Sequence, residues 1–258
     1  MHIAVDIGNT CLKCSVLHSE KVGVPITLRI PSRGTRLSKS FLRDLLCLTM
    51  TDGYRLPMTW RIAPTGRFPW QVLQEEILKI RPRDQFKIIT RKQIPLKIDV
   101  DAPKNVGVDR LLAAFGATKR YNDWTMLIVD AGTAITIDVV QDQTFCGGAI
   151  LPGLTTMSET YPKISEKLPL VPIPEYRDEQ EPPVYPYKNT EDAIRHGIYW
   201  GVVGAIRQFY EMRFTDTRLI LTGGDANYLH PGLARVIPQR VVLSSNLVLE
   251  GIHQCFSK

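Results

Sequence analysis

The chain has 258 residues, 44% of them hydrophobic and 22% charged, proportions that exclude a disordered or fibrous polypeptide and leave room for one large domain or two lobes of about 100–150 residues. Its net charge of +6 suits a small anionic ligand as well as nucleic acid, but the basic residues are spread out, and their densest run, "RIPSRGTRLSKSFLR" at 29–43, has few aromatics, so no nucleic-acid site is expected. The apolar run "IYWGVVGAI" at 198–206 is too short for a membrane span, and "HIAVD" at the start lacks the basic opening and long apolar core of a signal peptide, which together point to the cytoplasm and to no membrane.

In chain order, residues 2–6 and 12–17 read as a β-hairpin around the turn "GNT". Leu12, Cys14 and Val16 alternate with Lys13 and Ser15, which puts Cys11, Lys13 and Ser15 on the outward face. "CLKC" at 11–14 has the length of a metal or redox motif, yet positions three apart on a strand face opposite sides and no second pair has ligand spacing. Free thiols are therefore expected for all five cysteines. Helical spacing over 38–48 (Phe41, Leu42, Leu45, Leu46), a strand at "MTWRIA", a helix opened by proline at "PWQVLQEEILKI" and a strand at "FKIIT" complete an alternating first half.

"VGVDR" introduces a small-residue helix, "LLAAFGATKRY", with Asp109 as a possible N-cap. The strand "TMLIVD" then enters a hairpin with "AITIDVV", and "FCGGAILPG" is a further strand ending in glycines. Six prolines between 169 and 186 rule out regular helix or central strand and predict a long surface excursion. From Thr190 to about Arg213, Ile194, Ile198, Val202, Ala205, Ile206 and Phe209 mark a helix, with Asn189 or Thr190 as N-cap and Glu191 and Asp192 in its first turn. Gly197, Gly201 and Gly204 would let another backbone approach that helix, either the sheet of its own lobe or a second subunit. "RLILTGGDA" is a buried strand running into glycines, and "NYLHPGLARVI" a helix.

One internal echo organises these elements. Asp6 in "VDIGNT" recurs as Asp130 in "VDAGTA", close to half the chain away, which suggests two lobes of similar topology, residues 1–118 and 119–258. An Asp closing a strand sets its carboxylate at a sheet edge, where one or two such oxygens and phosphate can hold hydrated magnesium. Gly8 and Gly132 remove side chains where backbone must approach a ligand, and Asn9, Thr10 and Thr133 add donors to the N–H groups of the turns. Two facing turns of this kind grip a polyphosphate from both ends. Gly223 and Gly224, with Asp225, would leave a flat slot for the nucleoside.

In order, "DIGNT" with Lys13, "GVDR" (107–110), "DAGTAITID" (130–138), "GGAILPG" (147–153), "NTEDAIRHG" (189–197) and "TGGDA" (222–226) resemble the motifs of the type III pantothenate kinases. The resemblance implies an α/β fold of two actin-like (ribonuclease H-like) ATPase lobes with a nucleotide cleft between them, a homodimer, and transfer of the ATP γ-phosphoryl group to pantothenate at the start of coenzyme A synthesis. It further implies magnesium and an activating monovalent cation, potassium or ammonium. By the same resemblance Asp109 is the catalytic base, and the segment Asp6, Ile7, Gly8, Asn9, Thr10, Cys11, Leu12 and Lys13 binds phosphates, with Asp6 organising magnesium. Asp130 holds the monovalent cation, while Gly132, Thr133, Gly223 and Gly224 meet the nucleotide. Gly107, Val108, Asp109, Arg110 and Thr190 form the pantothenate site, Thr190 coming from the second subunit. Many members carry tyrosine where this chain has Val100. Two alternatives remain at this stage: a non-catalytic nucleotide-binding regulator resembling an accessory transcription factor, and a kinase of the same fold for another small hydroxyl compound.

Overall fold

In a computed structural model, residues 1–18, 22–30, 37–47, 56–173, 185–213 and 217–256 are described. The chain forms two compact units, Met1–Lys97 with Asp101–Tyr121 and Asn246–Lys258, and Ile98–Val100 with Asn122–Ser245.

The first unit is built on a five-stranded sheet. Its strands are β1 (His2–Ile7), β2 (Cys11–Leu17), β3 (Ile26–Arg29), β4 (Thr59–Pro64) and β5 (Gln85–Ile88), in spatial order β3-β2-β1-β4-β5. β1, β2 and β3 form an antiparallel meander, and β4 and β5 run parallel to β1. Ile3, Val5, Ile7, Leu12, Cys14, Trp60 and Ile62 line one face, in a core shared with α1 (Lys39–Cys47) and α2 (Trp70–Ile80). Burial pushes the Cys14 thiol far above its ordinary pKa.

The other face corrects the simple alternation expected for β2. Ser15, in register with Ala4 and through it with Arg61, is fully buried, while Val16 is half-buried. The reason is tertiary: α8 (Leu247–Gln254) lies over this second face and packs beside α3 (Val108–Arg120), burying Leu247, Leu249 and Ile252. The end of the chain thus belongs to the first unit, where a single cut at residue 118 leaves it with the second.

A buried polar knot ties β4 to β5. Asp84 accepts hydrogen bonds from Met58 N (3.0 Å), Trp60 Nε1 (2.8 Å) and Arg81 Nε (2.7 Å). Asp84→Asn keeps the shape but removes the charge and one acceptor, so denaturant unfolding is expected to show a loss of about 1–3 kcal/mol.

The second unit repeats the plan. β7 (Thr125–Ala131), β8 (Ala134–Gln141) and β9 (Thr144–Pro152) form an antiparallel meander, and β10 (Arg218–Thr222) and β11 (Val241–Leu243) add parallel strands beyond β7; the two-residue β6 (Lys97–Ile98) completes the order β11-β10-β7-β8-β9-β6. Leaving β6 aside, the meander-plus-parallel order matches the first sheet strand for strand, as the internal echo predicts. α6 (Thr190–Arg213) and α7 (Ala226–Val236) bury Ile194, Ile198, Val202, Ile206, Leu229 and Leu233 against Leu127, Val129, Leu219 and Leu221 of the sheet.

Gly197, Gly201 and Gly204 lie on the exposed side of α6, with nothing within 4 Å of where a Cβ would stand. Of the two uses anticipated for this stripe, packing on its own sheet is therefore excluded. The proline-rich segment falls largely on 174–184, outside the described residues; of its flanks, Val171 is buried, its N–H donating to Ser158 Oγ at 3.2 Å. Among the described residues no helix is long and apolar enough to cross a membrane.

Candidate active site

Asp6 stands one residue before the end of β1 and lies opposite Lys13 of β2, so one strand pair places both residues on the same face at the carboxyl edge of the sheet. The turn between them is tight, with Gly8 N donating to Cys11 O at 3.0 Å. Asn9 and Thr10 are exposed, whereas Ile7 and Leu12 turn their side chains into the core and leave only main-chain atoms at the edge.

A second segment reaches the same turn. β4 runs parallel to β1, so its end delivers Thr65, Gly66 and Arg67 beside the hairpin. Thr65 Oγ1 lies 3.2 Å from Asp6 Oδ1 and 3.1 Å from Ile7 O, Thr65 N and Gly66 N both donate to Ile7 O (3.0 and 2.6 Å), and Arg67 N donates to Asn9 Oδ1 at 3.2 Å. A Cβ on Gly66 would stand 2.0 Å from Gly8 O. These three residues were not anticipated from the sequence. The signal was present as a buried strand running into "PTGR", but a turn sequence does not announce which strand lies beside it.

The second hairpin has the same construction. Asp130 near the end of β7 lies opposite Thr136, Gly132 N donates to Ala134 O at 3.1 Å, and Thr133 O accepts Gly153 N (3.0 Å) and Thr156 Oγ1 (3.0 Å). Here the parallel neighbour is β10. Gly223 follows it with φ +96°, and a Cβ there would stand 2.3 Å from Ala131 O and 2.5 Å from Asp130 Oδ1, so only glycine fits. Asp225 N donates to Ala131 O at 2.9 Å. The structure therefore gathers Asp130, Gly132, Thr133 and Gly223 at one edge. Gly224 is exposed, with nothing of the protein within 4 Å of its missing Cβ.

Asp109 does not cap α3. Gly107 holds the N-cap position and Asp109 sits in the first helical turn, half-buried, with Oδ1 accepting Arg110 N at 2.9 Å. A carboxylate there is favoured by the amino end of the helix dipole. At the start of α6 the cap is Asn189, whose Oδ1 accepts Asp192 N (2.8 Å) and whose Nδ2 donates to Asp192 Oδ2 (2.7 Å). Thr190 is left exposed, lining a cavity of about 740 Å³ with Glu166, Lys167, Pro169, Asn189, Glu191 and Asp192. Val100 packs near Gly147, its Cγ1 3.3 Å from where a Cβ of that glycine would be. All five cysteines are free thiols, and among the described residues no group of three or more His, Cys, Asp or Glu is arranged to hold a metal.

Two acid-closed hairpins, each buttressed by the loop after a parallel neighbour, give two sheet edges suited to phosphate and a cation. A family model of the type III pantothenate kinases matches residues 2–212, which include both hairpins, Asp109 and Thr190. The chain belongs to the type III pantothenate kinase family. A type III pantothenate kinase of Flavobacterium johnsoniae is 28% identical over 261 residues, covering 99% of this chain and 97% of its own, and one of Persephonella marina is 29% identical over 266 residues, covering 100% and 98%. Among solved structures, the activator of the 2-hydroxyisocaproyl-CoA dehydratase from Clostridium difficile, with bound ADPNP, superposes with a TM-score of 0.54 at 12% identity, covering 98% of this chain and 92% of its own. That likeness concerns the fold, and the fold is that of the actin-like ATPases: two α/β units with the same strand order. In this type III pantothenate kinase sequence, the family motifs fall on strand ends and helix starts.

Proposed function

We propose that this chain transfers the γ-phosphoryl group of ATP to the primary hydroxyl of pantothenate, with Asp109 as the base that takes the hydroxyl proton. The supporting observation is the family match over 2–212, which takes in Asp6, Asp109 and Asp130 together. In a loose phosphoryl-transfer transition state the hydroxyl becomes acidic only late, so an oriented carboxylate of ordinary basicity suffices. A first helical turn supplies that orientation. Arg110 offers a fork of donors to the substrate's carboxylate, with Gly107 and Val108 beside it.

The edge at Asp6 fits magnesium, which keeps several waters and takes few protein ligands. One carboxylate flanked by Thr65 and by exposed turn residues meets that need. Magnesium bound there would neutralise charge on the transferring phosphate, and Lys13, Thr10 and the turn N–H groups would orient it. Asp130 is assigned the potassium or ammonium ion, and Thr133 and Gly223 the nucleotide. Gly224, whose missing side chain no protein atom demands, leaves a flat surface for the nucleoside.

ADP release measured with ATP, with and without pantothenate, tests the reading. Turnover should require pantothenate and magnesium and rise with potassium; equal turnover without pantothenate overturns it.

We assign the exposed glycine stripe of α6 to a homodimer contact, which also brings Thr190 of a second subunit to the pantothenate site. Gly201→Arg puts a long charged side chain where nothing of the same chain lies within 4 Å. Sedimentation should then show folded monomers, whereas a dimer of undiminished affinity would remove the stripe from the interface.

A further inference from the structure

Arg61 lies in the middle of β4 on the face covered by α8, in register with Ala4 of β1 on one side and Lys87 of β5 on the other. It is 8% exposed, its guanidinium carbon sits 4.3 Å from the ring centroid of Phe256, and its Nε is sealed from solvent with no hydrogen-bond partner among the described residues. A buried guanidinium usually faces a carboxylate. Among the described residues, this one faces other bases.

His2 stands two residues before Ala4 on the same face of β1, and His253, 7% exposed, comes from α8 above. Partial burial of its ring lowers the pKa of His2, as do the charges of Arg61, the Met1 amino group, Lys87 and His253; burial and then Arg61 lower that of His253. Burial likewise lowers the pKa of Arg61, and the group acting in the opposite direction is the Cys255 thiol. Burial pushes that thiol up to about 11, so it is neutral near pH 7 and supplies no counter-charge. The single acid of α8, Glu250, is 2.7 Å from Arg120. The carboxyl end of α8 carries partial negative charge, yet it gives Nε no acceptor. His2 and Lys87 are exposed, so the cluster can be reached from solvent.

We propose that Arg61, Lys87, His2 and His253 form a binding site for a small divalent oxyanion of the sulfate or phosphate class. A guanidinium fork, an ammonium and two imidazoles that can take up protons supply the charge such a dianion needs. The site is separate from the phosphate hairpin: His2 and Asp6 occupy opposite ends of β1, about 13 Å apart at strand rise. A bound dianion favours the imidazolium forms, so affinity strengthens as pH falls through the histidine range and is lost above it.

The test is a pH titration of the histidine ring signals by NMR in sodium sulfate and in sodium chloride at equal ionic strength, sulfate remaining divalent over about pH 5–8. The apparent pKa values of His2 and His253 should rise in sulfate by about one unit relative to chloride, with exposed His18 unmoved. Arg61→Met should abolish the difference. If that variant does not fold, Lys87→Gln, an exposed change, should weaken sulfate binding severalfold. Competition at one pH between inorganic phosphate and glycerol phosphate, whose second pKa values both lie near about 6–7, distinguishes a monoester from a free ion as the natural occupant. His2 and His253 moving no more than His18 in wild-type protein would overturn the assignment.

Discussion

Asp109→Asn is expected to lower kcat by about 10²–10⁴-fold, the range for a lost general base, with little change in stability. The two quantities separate because of where the residue sits. In the first turn of α3 an acidic side chain contributes only about 0.3–1 kcal/mol through the helix dipole. Asparagine keeps an oxygen for the 2.9 Å contact from Arg110 N, so the backbone there need not move. The amide, however, cannot accept the proton of the substrate hydroxyl. Saturating-substrate kinetics beside thermal unfolding make the check. A kcat within tenfold of wild type would move the base elsewhere; a large fall in unfolding temperature would make Asp109 structural.

Gly66→Ala should lower kcat/KM by about 10²-fold, the scale of an ångström-sized misplacement, and cost about 1–3 kcal/mol of stability. The added methyl would lie 2.0 Å from Gly8 O, 2.2 Å from Gly8 C and 2.7 Å from Asn9 N, all backbone atoms of the phosphate turn. None can give way as a side-chain end would, so the turn carrying Asn9 and Thr10 must shift. Gly224→Ala is the matched control: with nothing within 4 Å, it should leave unfolding unchanged and raise KM for ATP. Full activity in Gly66→Ala would show that the loop after β4 has no bearing on phosphate binding.

Much of this arrangement is legible in one dimension. The hairpins at Asp6 and Asp130, the proline-opened α2, the long α6 and the strand ending in "TGGDA" stand out because each is written in a local pattern: alternation, helical spacing, a cap, a glycine pair. The family motifs follow the same logic, since a phosphate turn needs Asp, Gly and Thr within a few residues of one another. Short or edge elements such as β3, β11 and α8 were missed because little periodicity fits in so few residues.

The sequence by itself determined the two acid-closed turns, the half-chain echo between them and the family. Only the tertiary structure decided that Thr65, Gly66 and Arg67 buttress the first turn, that α8 buries Ser15 and Arg61 on the face expected to be open, and that the glycines of α6 point away from their own sheet. The physical reason is the same in each case. A turn or a strand encodes its own conformation in neighbouring residues, but which surface covers it depends on elements far away in the chain, whose approach is set by packing and not by local propensity.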